Sequence, residues 1–324
     1  MKGKKQFAKV FLIAGSEPLG SAGMQADIKA VSACGGYAAC AVTCIVDEDT
    51  THVKSIHTIP VGMIRAQAES FLGDVGADCI KTGMLYSTEL IETVEGILTE
   101  YPGMPRVIDP VMVNSIGQPL LKPEAVEAYK ERLFPLADII TPNFREAAIL
   151  LGRPMTVGTL HDDLKTLTQW GNAVIVKSFP DGDRLTDYFY DPETAEMRQF
   201  SKRRIDTRNV NGTGDSFASA IAAYLAQKRP VEEAVEKAED FIIHAIESGA
   251  EYAFGTGYGP VNPFICCKRR TAPAGGIWRF STRDGIFPPR NAAIATRTRN
   301  PPLPTGGGGR CKRTARTQKN SAGP

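Results

Sequence analysis

The sequence predicts a doubly wound α/β fold, in which helices cover both faces of a mostly parallel sheet. Short apolar runs without polar alternation are typical of strands that are buried on both faces. Each of these runs is followed by a segment with helical periodicity, and the alternation repeats from residue 9 onward. Strands that alternate with helices in this way form parallel sheets, so a doubly wound domain is the expected architecture.

The predicted elements follow one another without a long interruption. The expected strands are 9–15, 38–46, 77–85, 105–113, 138–143 and 173–178. The expected helices are 22–35, 60–75, 87–101, 123–137, 144–152 and 160–171, with a further helix from Asp215 onward. We find no internal repeat and no second core before residue 264, which predicts a single domain over residues 1–264.

The composition is that of a soluble globular protein. With 324 residues and 42% hydrophobic content, the chain can bury a sizeable core. No apolar run approaches the roughly 20 residues of a membrane span, and the N-terminal segment lacks a signal-peptide cleavage site. We therefore expect a cytoplasmic protein. The seven cysteines and four histidines show no C-x-x-C or H-E-x-x-H spacing, so free thiols are expected rather than zinc sites or disulfides.

Charge is distributed unevenly along the chain. Residues 265–324 hold 13 of the 38 Lys/Arg but only Asp284 of the 36 Asp/Glu, so this tail is strongly basic and residues 1–264 are acidic. Such asymmetry can indicate a nucleic-acid-binding arm. The tail is also rich in Pro and Gly, which predicts disorder. It is either a solvated basic appendage or out-of-frame sequence, and the abrupt change after Phe264 favours the second interpretation.

The segment NVNGTGDSFASAIAAYLA (209–226) predicts an anion site at the start of a helix. The amides of Gly212, Thr213 and Gly214 can form a concavity for an anion, and the helix adds its positive N-terminal end. Phosphate is the natural occupant. Asp215 is then either a helix cap or a base that faces the phosphate, and a cap that places an anion beside an anion is the weaker interpretation.

Further polar side chains follow the predicted strands, where ligands bind in doubly wound sheets. Asp109 follows the strand of VIDPVM, and Glu146 lies in the first turn of the helix after Asn143. Together these oxygen-bearing groups predict a magnesium and phosphate environment. Lys81 and Lys177, each directly after a strand, either neutralise phosphate charge or are surface lysines.

The loop from Gly15 to Gly23 connects the first strand to the first helix. Its backbone amides can approach a ligand closely. It lacks the Gly-Lys-Ser/Thr of a P-loop and the spacing of a dinucleotide fingerprint, so a flexible turn is an equally open interpretation.

Taken in order, these segments resemble the ribokinase-like superfamily, and most closely its hydroxymethylpyrimidine/phosphomethylpyrimidine kinases, with pyridoxal kinases as relatives. The matching segments are IAGSEPLGSAGMQADIKAVSACGGYA, IKTGML, VIDPVMV, PLADIITPNFREAAILLG, VIVK, NGTGDSFASAIAAYLA and GYGPVNPF, within residues 8–264. Their joint occurrence is highly specific. The resemblance implies a ribokinase-like fold, ATP and Mg²⁺ as cofactors, a heteroaromatic alcohol as phosphate acceptor, and a homodimer.

The resemblance also implies roles for individual residues. Asp215 matches the general base, and the anion hole for the transferred phosphate is matched by Gly212, Thr213 and Gly214. The residues that match nucleotide and phosphate contacts are Lys177, Asn143, Asp109 and Thr213. The residues that match the metal neighbourhood are Asp109 and Glu146. The residues that match ring recognition are Gly15, Asp27, Glu48 and Met84.

Two departures from the family pattern leave the ring open. The family commonly has Gln-Asn-Thr where this chain has Glu48-Asp49-Thr50, so an amide is replaced by an acceptor-only carboxylate. It also often has Cys at the position of Asp215, whereas Asp is usual in ribokinase and many vitamin B6 kinases. Hydroxymethylpyrimidine, with its monophosphate as a second acceptor, is the leading substrate, and pyridoxal or pyridoxine is the alternative.

Two interpretations of another class remain beside the kinase. A nucleic-acid-binding protein would use the basic tail, although the tail does not explain the acids of the domain. A catalytically dead kinase fold would serve as a ligand sensor. No membrane partner is expected.

Overall fold

A computed structural model describes residues 5–113, 120–121 and 124–265. The predicted basic tail (265–324) lies outside the described residues apart from Ile265. Over the described ranges, no helix has the length and apolarity that a membrane span requires.

The described residues form nine strands and eight α-helices. The strands are β1 (Lys9–Ser16), β2 (Tyr37–Glu48), β3 (Val53–Thr58), β4 (Cys79–Thr82), β5 (Arg106–Ile108), β6 (Ile139–Ile140), β7 (Ala173–Asp181), β8 (Arg184–Asp191) and β9 (Glu196–Arg203). The helices are α1 (Gly23–Ala33), α2 (Val61–Asp74), α3 (Thr88–Glu100), α4 (Ala125–Ala128), α5 (Phe144–Leu151), α6 (Leu160–Leu167), α7 (Thr213–Ala226) and α8 (Val231–Gly249). After α4 the chain continues as a π-helical turn (Tyr129–Leu133) and a 3-10 turn (Phe134–Leu136).

The strands form one sheet in the order β3-β2-β1-β4-β5-β6-β7-β8-β9. The six strands from β2 to β7 in this order pair in parallel. β3 at one edge and β8 and β9 at the other pair antiparallel. The chain moves from β1 to β2 on one side and later to β4 on the other, which creates a topological switch point between β1 and β4. The predicted doubly wound, mostly parallel sheet is confirmed.

Helices cover both faces of the sheet, and β1 shows why. Phe11 and Ile13 pack into the core that contains residues of α2, α3, α5 and α6. Val10 and Leu12 point the other way, into the core that contains residues of α1, α7 and α8. Because successive strand residues face opposite sides, a strand buried on both faces needs an unbroken apolar run.

Four elements were not among those predicted from the sequence, namely β3, β8, β9 and α8. β3 and β9 lie at the sheet edges, and their residues are largely exposed or alternate in exposure. A search for continuous apolar runs does not detect such strands, since only one face needs to be apolar. The extra hairpin of β8 and β9 brings a basic segment to the site described next.

Candidate active site

The carboxyl ends of the parallel strands open into one cavity of about 850 Å³. The predicted site residues that line it are Gly15, Glu48, Met84, Asp109, Asn143, Glu146, Lys177, Gly212, Thr213, Gly214 and Asp215. The strand order sets their arrangement along the cavity. Its β2 end contains Val46, Glu48 and Met84, and its β9 end contains residues 202–208. Asp215 and the loop 212–214 belong to the same cavity, as expected for a site at a topological switch point.

Helix α7 begins at a glycine that no other residue can replace without rearrangement. Gly212 is the N-cap, with φ +71° in the left-handed region. A Cβ at this position would overlap the carbonyl oxygen of Ser21, and Asn211 Nδ2 donates to Ser21 Oγ at 2.8 Å across the same junction. No side chain among the described residues caps α7. The amides of Gly212 and Gly214 therefore remain available to an anion in the cavity, whereas the amide of Thr213 already donates to the carbonyl oxygen of Val210 at 3.2 Å.

Asp215 is not the cap of α7. It is the third residue of the helix, with Gly212 at the cap position. Its carboxylate lines the cavity and is 17% exposed, and Oδ1 lies 3.6 Å from Nζ of Lys81. The capping interpretation is therefore wrong, and Asp215 presents a carboxylate both to the cavity and to a buried cation.

Lys81 and Asp27 occupy places that the sequence did not predict. Lys81 is fully buried, and its Nζ lies 2.9 and 3.0 Å from the two carboxylate oxygens of Asp27. Ser219 Oγ donates to Asp27 Oδ1 at 2.7 Å. Asp27 is fully buried and does not line the cavity, so its position does not support ring recognition. Lys81 is equally unsuited to contact a phosphate directly.

Lys177 pairs with Asp109 and lies next to the loop 212–214. Its Nζ lies 3.0 Å from Asp109 Oδ1, and Thr141 Oγ1 donates to the same oxygen at 2.8 Å. A Cβ on Gly214 would lie 3.3 Å from Lys177 Nζ, so the ammonium group is next to the loop 212–214. Lys177 is thus a buried cation placed to contact an anion in that loop.

Asn143 and Glu146 form a reciprocal capping box at the start of α5. Asn143 Oδ1 accepts from the amides of Arg145 and Glu146 at 3.0 Å, and Glu146 Oε2 accepts from the amide of Asn143 at 2.8 Å. Glu146 Oε1 accepts from the amide of Met112 at 3.2 Å. Burial raises the pKa of Glu146 to about 7. Both oxygens already have a structural role, so Glu146 is better placed to accept from a metal-bound water than to bind a metal directly.

The loop between β1 and α1 is folded around its own carboxylate. Glu17 is buried, and its side chain accepts from the amides of Leu19, Ser21 and Ala22. Three of the amides that the sequence suggested for ligand contact are thus occupied by Glu17. The loop is an ordered platform for Gly212 rather than a second phosphate site.

The β2 end combines apolar walls with one carboxyl group. Val46 and Met84 pack with the buried Cys44, and Glu48 lines the same part of the cavity. Within the described ranges, the structure shows no hydrogen bond to the Glu48 carboxyl group. Burial raises the pKa of Glu48 to about 7, and the nearby carboxylates of Glu17, Asp215 and Asp49 add to the effect. This end fits a small, flat ring that offers hydrogen-bonding groups to a carboxyl group.

Replacing Glu48 with Gln should make folding stability less sensitive to pH. Because the pKa of Glu48 is higher in the folded state than its ordinary value of 4.5, the folded chain holds an extra proton between that value and about 7. The wild type therefore loses stability as pH rises through this window, and the Gln variant does not share this loss. Since solvent reaches the half-buried group, we expect a difference on the order of 1 kcal/mol.

Thermal unfolding of both chains at pH 4.5 and pH 8 measures this difference. Asp47→Asn is the matched control, because it removes the same charge one residue away on an exposed position of β2. If Glu48→Gln changes the thermal stability by the same amount at both pH values, the raised pKa of Glu48 is contradicted.

The β9 end contains residues that the sequence analysis missed. Arg203, Arg204 and Arg208 bring positive charge to it, whereas Lys202 is paired with the carboxylates of Asp187 and Glu239. Phe217, Ile242 and Ile246 add apolar surface from α7 and α8. The run of Lys and Arg at 202–204, a few residues before the loop 212–214, was the sequence feature that could have predicted this basic part of the site. This end fits an anionic ligand that also carries an apolar or aromatic group.

The residues at the centre of the cavity fit a magnesium ion that is bound together with phosphate. Among the described residues, no group of three or more His, Cys, Asp and Glu side chains could hold a metal ion by itself. Mg²⁺ usually binds one or two carboxylates, substrate phosphates and water, and it requires oxygen donors. Asp109 and Glu146, both lining the cavity, provide such oxygens.

Known proteins with a similar sequence include phosphomethylpyrimidine kinases, and a pyridoxal kinase is among the solved structures with a similar fold. Residues 17–262 match the family model for phosphomethylpyrimidine kinase. The chain is 37% identical over 271 residues to the chloroplastic thiamine biosynthetic bifunctional enzyme TH1 of Arabidopsis thaliana, covering 82% of this chain and 52% of that protein. It is 37% identical over 256 residues to the hydroxymethylpyrimidine/phosphomethylpyrimidine kinase of Rhizobium meliloti, covering 78% and 95%. The ADP complex of Bacillus subtilis pyridoxal kinase superimposes with a TM-score of 0.74 at 32% identity, covering 81% of this chain and 99% of that chain.

The sheet order, the cavity at the strand ends and the helix-start loop define the ribokinase-like fold class, which the structural comparison confirms. The chain belongs to the phosphomethylpyrimidine kinase family. It spans about half the length of the bifunctional relatives that it matches. The resemblance that the sequence motifs suggested is confirmed at the level of the family and the fold.

Proposed function

We propose that the chain is an ATP-dependent kinase that phosphorylates the hydroxymethyl group of hydroxymethylpyrimidine, with its monophosphate as a second acceptor. The observation that carries the proposal is the single cavity, in which Asp215 and the loop 212–214 share a site with a ring-sized β2 end and a basic β9 end. A hydroxyl group held at the β2 end and a triphosphate held from the β9 end would meet beside Asp215. The ADP complex of the Bacillus subtilis relative supports a nucleotide ligand.

In the proposed reaction, Asp215 accepts the proton of the substrate hydroxyl group. The hydroxyl oxygen forms a bond to the γ-phosphorus of ATP, the bond from that phosphorus to the bridging oxygen breaks, and ADP leaves. The amides of Gly212 and Gly214 stabilise the charge on the transferred phosphoryl group, whereas the Thr213 amide is already bonded to Val210. Lys177, beside Gly214 and Asp109, neutralises phosphate charge. Positioning and charge neutralisation supply most of the catalysis in such reactions.

Magnesium enters this proposal through Asp109 and Glu146. When bound with the triphosphate, it would neutralise negative charge on the phosphate oxygens. Asp109 is the better direct ligand because Glu146 already accepts two backbone hydrogen bonds. The Lys177 ammonium group keeps the Asp109 carboxylate oriented toward this part of the cavity.

Pyridoxal is the second candidate acceptor, because the Bacillus subtilis structural relative is a pyridoxal kinase. Hydroxymethylpyrimidine offers an amino group beside a ring nitrogen to the Glu48 carboxyl group, and this donor and acceptor pair fits a carboxyl group that can gain a proton near neutral pH. Pyridoxal lacks such an amino group. The arrangement at the β2 end therefore favours the pyrimidine.

A coupled ADP-release assay with hydroxymethylpyrimidine, its monophosphate, pyridoxal and pyridoxine tests the proposal. We expect kcat/KM for hydroxymethylpyrimidine to exceed that for pyridoxal by at least about tenfold, the effect of one well-placed hydrogen bond. A higher kcat/KM for pyridoxal would reverse the assignment of the ring. The absence of turnover with all four compounds would support a ligand sensor instead of a kinase.

The roles of the individual site residues and the magnesium ion stay predictions, and so do three further expectations from the sequence. They are the homodimer, the cytoplasmic location and the division into a domain of residues 1–264 and a basic tail. For the nucleic-acid alternative, the expected signature is salt-sensitive binding that is lost when residues 265–324 are removed. The acidic groups of the cavity favour the kinase instead.

A further inference from the structure

A buried charge cluster lies directly behind the cavity and is not explained by ligand binding. It contains Asp27 from α1, Lys81 from β4 and Ser219 from α7, and all three side chains are fully buried. These residues come from three elements that are far apart in the sequence. Burying a lysine and an aspartate in this way is unfavourable unless both are paired. The pairing of Asp27 with Lys81 meets that requirement. It does not explain why Lys81 also lies close to Asp215.

The distances show that Lys81 is shared unequally between two carboxylates. Its Nζ lies 2.9 and 3.0 Å from the two oxygens of Asp27 and 3.6 Å from Oδ1 of Asp215. The contact with Asp27 is a bidentate ion pair, whereas the contact with Asp215 is longer than a hydrogen bond. Lys81 therefore attracts the Asp215 carboxylate, but its hydrogen bonds are made to Asp27.

The absence of a side chain at Gly83 leaves room for the ammonium group of Lys81. A Cβ on Gly83 would lie 3.1 Å from Lys81 Nζ and 3.1 Å from the Cβ of Ala14, so the lysine packs tightly against the ends of β1 and β4. Lys81 does not line the cavity, whereas Asp215 does. The cation thus acts on one side of the Asp215 carboxylate while the other side faces the cavity.

The ammonium group of Lys81 remains charged in this environment. Burial alone would lower the pKa of Lys81, but the carboxylates of Asp27, Asp215 and Asp109 raise it above its ordinary value. The titratable groups around the pair are Asp27, Cys40, Glu48, Asp109, Lys177 and Asp215. Most of them are acids, and a bound triphosphate would add further negative charge. A carboxylate that must accept a proton among so many anions needs a fixed cation to keep it oriented toward the substrate.

We propose that Lys81 is a positioning residue that holds the Asp215 carboxylate oriented for proton transfer, and that Asp27 sets the strength of this interaction by retaining most of the lysine's charge. This inference rests on the proposed kinase function, since it assigns a role to the groups behind the proposed base. Asp27 thereby has an indirect part in catalysis, in place of the ring contact expected from the sequence.

Two single variants of the full-length chain should shift the pH–rate profile in opposite directions. In Lys81→Met the Asp215 carboxylate loses its cation, so we expect kcat to fall about 100-fold and the acidic limb of the profile to move to higher pH. In Asp27→Asn the lysine is left to pair fully with Asp215, which makes the base weaker. We expect kcat to fall about tenfold and the acidic limb to move to lower pH.

The double variant Asp27→Asn/Lys81→Met separates positioning from simple charge balance. It removes both members of the buried pair and leaves no unpaired charge that is fully buried, so it should fold even where Lys81→Met alone does not. If Lys81 acts through Asp215, the double variant keeps the low kcat and the raised acidic limb of Lys81→Met. If Lys81 only balances the charge of Asp27, the double variant regains the wild-type kcat and profile, which would overturn the inference.

The pair of Lys9 and Asp78 provides the matched control. Lys9 Nζ lies 3.0 Å from Asp78 Oδ2, and this pair joins β1 to the segment before β4 at the other end of the strands. Lys9→Met should therefore change thermal stability but leave kcat and the pH–rate profile at wild-type values. Wild-type protein that phosphorylates none of the four tested rings would overturn the proposed function itself, together with this inference. An active wild type together with a fully active double variant would instead overturn this inference alone and leave the proposed function intact.

Discussion

Asp215→Asn is expected to lower kcat by about 1000-fold, within the range of roughly 100-fold to 10,000-fold that positioned general bases contribute. The carboxylate is the cavity-lining acid at the start of α7 and is in contact with a buried cation, whereas an amide cannot accept the hydroxyl proton. Because Asn has nearly the same shape, the variant should fold and bind nucleotide normally. Single-turnover kinetics and nucleotide titration measure these two effects separately.

Asp162→Asn is the matched control for this change. Asp162 is also the third residue of its helix, counted from the cap residue Thr159, but it is exposed and does not line the cavity. Both substitutions remove an acid from the first turn of a helix, so they alter the interaction with the helix dipole in the same way. Asp162→Asn should leave kcat unchanged. Equal kcat values for wild type and Asp215→Asn would show that Asp215 is not the base.

Gly212→Ala is expected to abolish most of the activity and to destabilise the chain. The left-handed conformation of residue 212 alone costs about 1–3 kcal/mol when a side chain is present. The added Cβ would also overlap the Ser21 carbonyl oxygen, so the loop 212–214 and the loop before α1 would have to separate. That movement displaces the amides of the anion site. We expect kcat to fall at least about 100-fold, as for the loss of oxyanion-hole donors.

Gly152→Ala distinguishes the two causes. Gly152 ends α5 with φ +68°, close to the +71° of Gly212, but a Cβ there would have no atom within 4 Å. This control should lose stability through backbone strain alone and keep full activity. Chemical denaturation and the ADP-release assay on both variants make the comparison. If the two variants lose the same stability and neither loses activity, the junction between Gly212 and Ser21 has no role in the site.

The edge elements show where sequence patterns are weak. The central strands were predictable because a strand buried on both faces must be continuously apolar, as in Val10 to Ala14 of β1. β9 alternates between exposed and half-buried residues, so it lacks that signal. Its contribution to the β9 end of the cavity therefore became visible only through the pairing with β8.

The sequence by itself determined the fold class, the family and most of the candidate site, because strand ends and a glycine-rich helix start are local features. It could not determine what Lys81, Asp27 and Glu17 contact, since each is a polar residue whose role depends on partners elsewhere. Asp27 and Ser219 are 192 residues apart, yet they are joined by a hydrogen bond. Only the tertiary structure places Lys81 between Asp27 and Asp215, because burial forces charged groups to find one another across the packed layers.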